Sequence, residues 1–106
     1  MDRLPRPYTR FHDEQPEVWQ AFENLGAVIA QSGPLEIMVR ELVKLGMAAA
    51  CGSESAVQSH THRALKAGAS AEEIEHAILL GITTIGFPQA MAALSWAKSA
   101  FDTRES

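Results

Sequence analysis

Residues 33–60 read GPLEIMVRELVKLGMAAACGSESAVQSH, and the fold is decided by what this stretch repeats and where it stops. Leu35, Met38, Val39, Leu42, Leu45, Gly46 and Ala49 recur at the spacing of one helical face. Glu36, Arg40 and Lys44 descend a second side at i, i+4, which suits an exposed surface. Gly33-Pro34 opens this helix and Gly52 breaks it. Ser53 then offers a side-chain cap, with Glu54 near the positive end, to a further helix that runs to a stop at Gly68. The stretch therefore predicts two consecutive helices joined by a tight turn.

The same signals extend in both directions. Upstream, Pro16 suits a first helical turn, and Val18, Trp19, Phe22, Leu25, Val28 and Ile29 follow at helical spacing. Downstream, Ser70-Ala71-Glu72-Glu73 is a capping box that starts another helix. Its middle, Ala77 to Ile82, is apolar all round, which predicts burial on every side and a central place in the fold. Gly86-Phe87-Pro88 makes the next break. The last helix carries Phe87, Met91, Leu94, Ala97 and Phe101 on one side, and a stripe of Ala90, Ala93, Trp96, Ala97 and Ala100 whose small residues allow another helix, of this chain or of another subunit, to approach closely. No strand signal competes. The expectation is an all-α bundle of about five helices, with residues 1–12 as an extended N-terminal arm containing Pro5 and Pro7, and residues 13–106 as one helical domain.

Composition excludes several classes of function. A net charge of -4 with no Lys/Arg cluster argues against nucleic acid as a partner. The longest apolar runs fall well short of the roughly 20 residues that span a bilayer, and the N-terminus has no apolar signal-peptide core. The lone Cys51 permits no intrachain disulfide, which fits the cytoplasm. A chain of 106 residues with this much apolar stripe is expected to bury the excess against copies of itself.

Chemistry is sought where a costly residue interrupts the apolar pattern. Glu41 projects from a patch containing Ile37, Met38 and Leu45. Burial there raises a carboxyl pKa toward the range of a proton carrier, whereas a place at the edge of the stripe makes it a solvated partner of Lys44 or Arg40. His60 emerges in line with Ser53, Ala56, Val57 and Ala64, small residues suited to lining a pocket. It reads either as a proton-transfer group or as a hydrogen-bonded structural histidine. Ser53 cannot be activated by His60, because seven residues of regular helix separate them by about 10.5 Å along the axis. His60 and His62 point to nearly opposite sides, and no third ligand stands at a convincing spacing, so no metal and no other cofactor is expected. His62, Arg63 and His76 read as solvated or interface residues.

Arg40-Glu41-Leu42-Val43, Ala48 to Gly52, Ser53 to His60, Lys66 to Ile74, and Gly86-Phe87-Pro88 with Ala92-Ala93-Leu94 together resemble the carboxymuconolactone decarboxylase and alkyl hydroperoxidase D family, over about residues 34 to 97. The peroxidase branch of that family carries a Glu, eleven residues, Cys-x-x-Cys, three residues, then His. Glu41 and His60 occupy the end positions, but Ser53 and Ala56 stand where the cysteines would be, and neither forms or exchanges a disulfide. The resemblance thus implies the decarboxylase branch. That means a lyase or isomerase acting by proton transfer on a small carboxylated lactone or related acid, assembled as a homo-trimer or homo-hexamer. It places His60 and Glu41 as the catalytic pair, Arg40 or Arg63 on the substrate carboxylate, and Ser53, Ala56 and Val57 along the substrate site. Two competing readings are a non-catalytic member that binds a small ligand or partner, and a one-cysteine peroxidase through Cys51.

Overall fold

Helix ends fall where caps and left-handed glycines put them. The computed structural model describes residues 6–103. Seven helical elements follow one another among them: α1 (Arg6–Glu14), α2 (Pro16–Ala30), α3 (Ile37–Cys51), α4 (Glu54–Lys66), α5 (Ala71–Leu79), the single turn α6 (Ile82–Ile85) and α7 (Phe87–Thr103). The all-α class stands, with more and shorter pieces than the sequence pattern resolved. No described helix is long and apolar enough to cross a membrane.

The chain divides into two compact units, one through Leu35 and one from Glu36 onward. In the first, residues 6–14 are helical rather than the extended arm expected. The reason is that the first N–H groups of a helix have no acceptor, so a proline in that turn removes no hydrogen bond. Trp19 packs edge-on to His12, with ring centroids 5.4 Å apart, and lies 6.2 Å from Phe11. Residues 1–5 of the expected arm lie outside the described residues. α2 buries none of its residues.

The second unit holds the core. Leu45 from α3, Val57 and Ala64 from α4, Ile74 and Ile78 from α5, and Ala93 and Ala97 from α7 meet there with essentially no exposure. Ser53 caps α4, its Oγ accepting from Ala56 N at 3.3 Å. At the start of α5 the capping box is complete: Ser70 N donates to Glu73 Oε1 at 2.8 Å and Glu73 N donates to Ser70 Oγ at 3.0 Å.

Two expectations about this unit change. The all-round apolar segment does not run through the centre, because α5 stops at Leu79 and only Ile74 and Ile78 on it are buried. Leu79 and Leu80 face outward, the latter 63% exposed. A side chain on Gly81 would meet the Ile78 carbonyl at 3.0 Å, which accommodates the break between α5 and α6. The second change concerns the alanine stripe. Ala90, Ala93, Ala97 and Ala100 are fully buried within the chain, where α7 packs on α4 and α5, so the close approach they permit is intramolecular. His62 Nε2 donates to the Ala100 carbonyl at 3.1 Å and ties α4 to the end of α7.

The turn between α3 and α4 positions the site. Gly52 adopts φ +70°, the left-handed conformation that a helix C-terminus favours and a side chain resists. From α7, Gln89 Nε2 donates to the Ala49 carbonyl at 3.1 Å and the Ala50 carbonyl at 2.9 Å. These are among the last carbonyls of α3, past the run of its own i, i+4 bonds, and the Ala49 carbonyl also accepts from Gly52 N at 3.1 Å. A Cβ at position 52 would press on Gln89 Nε2 at 3.3 Å. A glycine and a distant glutamine therefore hold the turn that folds α4 back along α3.

Candidate functional site: a Glu–His pair

With α4 laid against α3, a residue ahead of the turn and one beyond it come level. Glu41 Oε1 and His60 Nδ1 are 2.8 Å apart, with side chains 11% and 20% exposed. The carboxylate can only accept, so Nδ1 carries the proton and donates it. This fixes the tautomer and leaves Nε2 as the atom free to take or give a proton. His60 is hydrogen-bonded, and its partner is Glu41, the buried carboxylate among the described residues.

The charge on Glu41 differs from expectation. Burial does push its carboxyl upward, but the hydrogen bond from His60 and the positive charges of His60, Arg63 and Lys44 outweigh that and hold it below the usual carboxylate range. Glu41 is therefore ionised at neutral pH and is not itself a proton carrier. Its contact with Nδ1 orients the imidazole. Among the described residues no group of three or more His, Cys, Asp or Glu could hold a metal ion.

The remaining candidates separate. Arg63 is exposed one turn beyond His60, close enough for its charge to act on Glu41. Arg40 points roughly 100° around α3 from Glu41, and it is Lys44, on the next turn, whose charge reaches the carboxylate. Val57 is fully buried in the core, where packing against its neighbours leaves no surface for a ligand. Ala56 is half-buried against the same core, and the Ser53 hydroxyl is engaged as the cap. Cys51 is exposed at the end of α3, ten residues and so about 15 Å along the axis from Glu41. An apolar groove of about 330 Å³ is lined by Val43, Gly46 and Met47 of α3 together with Ala77, Leu80 and Thr84. It opens on the side of α3 away from Glu41, so it is not the chamber expected around the pair.

Two polar features had no clear sequence signal. Gln89 acts on carbonyls some forty residues away, which no local pattern reveals. The Thr61 hydroxyl, next to His60 on the inward side of α4, is fully buried with no hydrogen-bond partner.

The order of these features in the chain can be set against known families. The sequence model of the carboxymuconolactone decarboxylase family matches residues 16–99, which takes in both members of the pair and all of α2 to α6. This chain belongs to that family. An uncharacterized protein from Cupriavidus necator is 29% identical to this family member over 93 residues, covering 88% of this chain and 82% of that protein. A crystal structure of a "putative carboxymuconolactone decarboxylase" from Burkholderia xenovorans LB400 superposes with a TM-score of 0.71 at 24% identity, covering 96% of this chain and 86% of the other. That likeness establishes the fold.

Proposed function

We propose that this member of the family is a cysteine-independent lyase or isomerase, cytoplasmic, acting by proton transfer on a small carboxylated lactone or related acid. The observation that supports it is the 2.8 Å contact between His60 Nδ1 and Glu41 Oε1, partly sheltered from solvent. An imidazole held by a carboxylate through one nitrogen presents the other in a fixed tautomer and direction, which is what general acid–base catalysis asks of a histidine. In a decarboxylation the bond from carbon to the carboxylate breaks, its electron pair stays on carbon, and a doubly protonated His60 ring delivers its Nε2 proton to that carbon, returning to the Nδ1–H tautomer. Solvent then reprotonates the ring. In an isomerisation the same nitrogen takes a proton from one carbon and returns it to another. Arg63 supplies a charge-assisted hydrogen bond for an anionic substrate. With Ser53 and Ala56 in the cysteine positions, no dithiol step is involved.

The test is carbon dioxide release, or the loss of a lactone or enol absorbance, from a panel of small carboxylated lactones. His60→Ala should lower the rate by about a hundredfold or more with helical content unchanged, and Cys51→Ser should leave it alone. A wild-type protein inert across the panel, or a His60→Ala protein as active as wild type, refutes the reading. Inactivity would favour a non-catalytic ligand-binding member, for which the apolar groove on the other side of α3 is the supporting observation.

A further inference from the structure

The cations around the Glu41–His60 pair are placed by helix register. Lys44 follows Glu41 by three residues on α3 and Arg63 follows His60 by three on α4, so each shares a face with its member of the pair. Because α4 folds back along α3, the step of three leads toward the turn on α3 and away from it on α4. Lys44 and Arg63 therefore flank the pair from opposite sides, each displaced about 4.5 Å along its own helix. They are not equivalent. Arg63 is exposed, whereas Lys44 is half-buried beside a carboxylate whose side chain is only 11% exposed. An ammonium drawn partly out of water calls for hydrogen-bond acceptors. Among the described residues that of Lys44 makes no hydrogen bond: it is attracted to Glu41, but the bond that closes on this carboxylate comes from His60.

We propose that Lys44 is a further substrate-binding residue of this site, whose ammonium takes a carboxylate of the acid on which His60 acts and orients that acid against Nε2. The inference rests on the proton-transfer reading above and adds a residue to it. Charge is the first support. The chain carries a net charge of -4, yet the charged side chains that act on Glu41 are all cationic, namely His60, Arg63 and Lys44. A small anion is drawn to such a spot against the repulsion of the remaining surface. Reach is the second. A lysine carries its charge on a flexible four-carbon stem, so one small acid can touch Nζ and Nε2 together, with the reacting carbon between them. Shelter is the third, because an ionic contact at a half-buried ammonium is screened less than one at the exposed Arg63. Arg63 then draws the acid in and Lys44 fixes it. Arg40 is half-buried too, but it points roughly 100° around α3 from Glu41. The carboxylate that Lys44 holds is one that survives the reaction, since a cation on a departing carboxylate would resist its conversion to neutral carbon dioxide.

The first measurement is binding and needs no turnover. Acetate is titrated into the full chain while the His60 ring resonance is followed by NMR, with methyl acetate as the uncharged control. Acetate alone should shift that resonance to saturation in wild type. Lys44→Met keeps the stem and removes the charge, so it should raise the acetate dissociation constant by about tenfold or more, and Lys44→Arg should recover it to within about threefold. Lys98→Met, at an exposed position on α7, should leave it unchanged. The second measurement is kinetic, on an acid of the panel that wild type turns over: Lys44→Met should raise KM by about the same factor and leave kcat within about threefold, whereas His60→Ala removes kcat. The proposal is overturned if acetate leaves the wild-type His60 resonance unmoved, or if Lys44→Met with unchanged helical content binds acetate as wild type does. It is equally overturned if kcat falls while KM and the acetate constant hold, because Lys44 would then act only through Glu41. A wild type that is inert on every acid but binds acetate through Lys44 refutes the proton-transfer reading and upholds the Lys44 contact.

Discussion

Glu41→Gln isolates the charge in the pair, because glutamine keeps the side-chain length and an oxygen that still accepts from His60 Nδ1. What disappears is the ionic part of a 2.8 Å hydrogen bond and the attraction to Arg63 and Lys44. A hydrogen bond to a charged group contributes about 1.5–3 kcal/mol and a neutral one about 0.5–1.5 kcal/mol, so the difference is about 1 kcal/mol. Burial acts against the charge, yet the carboxyl still titrates below its ordinary value of 4.5, so ionisation is favoured in the folded chain. Wild type should therefore be the more stable protein at pH 7, by about 1 kcal/mol, which moves a urea midpoint by roughly 0.5–1 M. The sign of the pH dependence follows. A carboxyl whose folded pKa lies below its unfolded pKa contributes stability above 4.5 that is lost as pH falls through the folded value. The gap between wild type and Glu41→Gln should be full at pH 6–7 and should close in acid, as pH falls below 4.5 and through the lowered folded value. The assay is urea unfolding at fixed protein concentration, followed by far-UV circular dichroism at several pH values. A gap that is absent at pH 7, or that widens in acid, refutes the assignment of Glu41 as an ionised, stabilising partner of His60.

Thr61→Val should stabilise the fold by about 1 kcal/mol, since it removes a buried hydroxyl that has no partner and keeps the branched shape, read as a raised urea midpoint. Ala97→Leu should destabilise by about 1–3 kcal/mol, because α7 meets α4 and α5 through side chains with no exposure at all, and a lowered melting temperature checks it.

The sequence pattern made the caps and the pairing legible for a physical reason. Ser53, Ser70 and Glu73 act within four residues of themselves, so their bonds are written locally. The meeting of Glu41 and His60 was legible through family spacing, which encodes two helix lengths and the turn at Gly52. What covers an apolar face was not legible. Ala77 to Ile82 promised a central helix, but periodicity counts apolar residues without saying whether their cover lies in the same chain, and Leu80 is left outside. The small residues of α7 promised a close helix neighbour without naming it, and α4 and α5 of the same chain supply it. The ionisation of Glu41 was hidden too, because it depends on cations brought near by folding, and Arg63 is more than twenty positions along the chain.

Gln89 is a case of remote control. Its amide grips the last carbonyls of α3 at the very point where the backbone reverses, and so it sets the angle at which the following helix returns. The carboxylate and the imidazole stand on the two helices that this turn joins, so a residue of α7 that touches neither of them bears on how they meet. Drift at that one position would retune the pair while leaving every group around it unchanged.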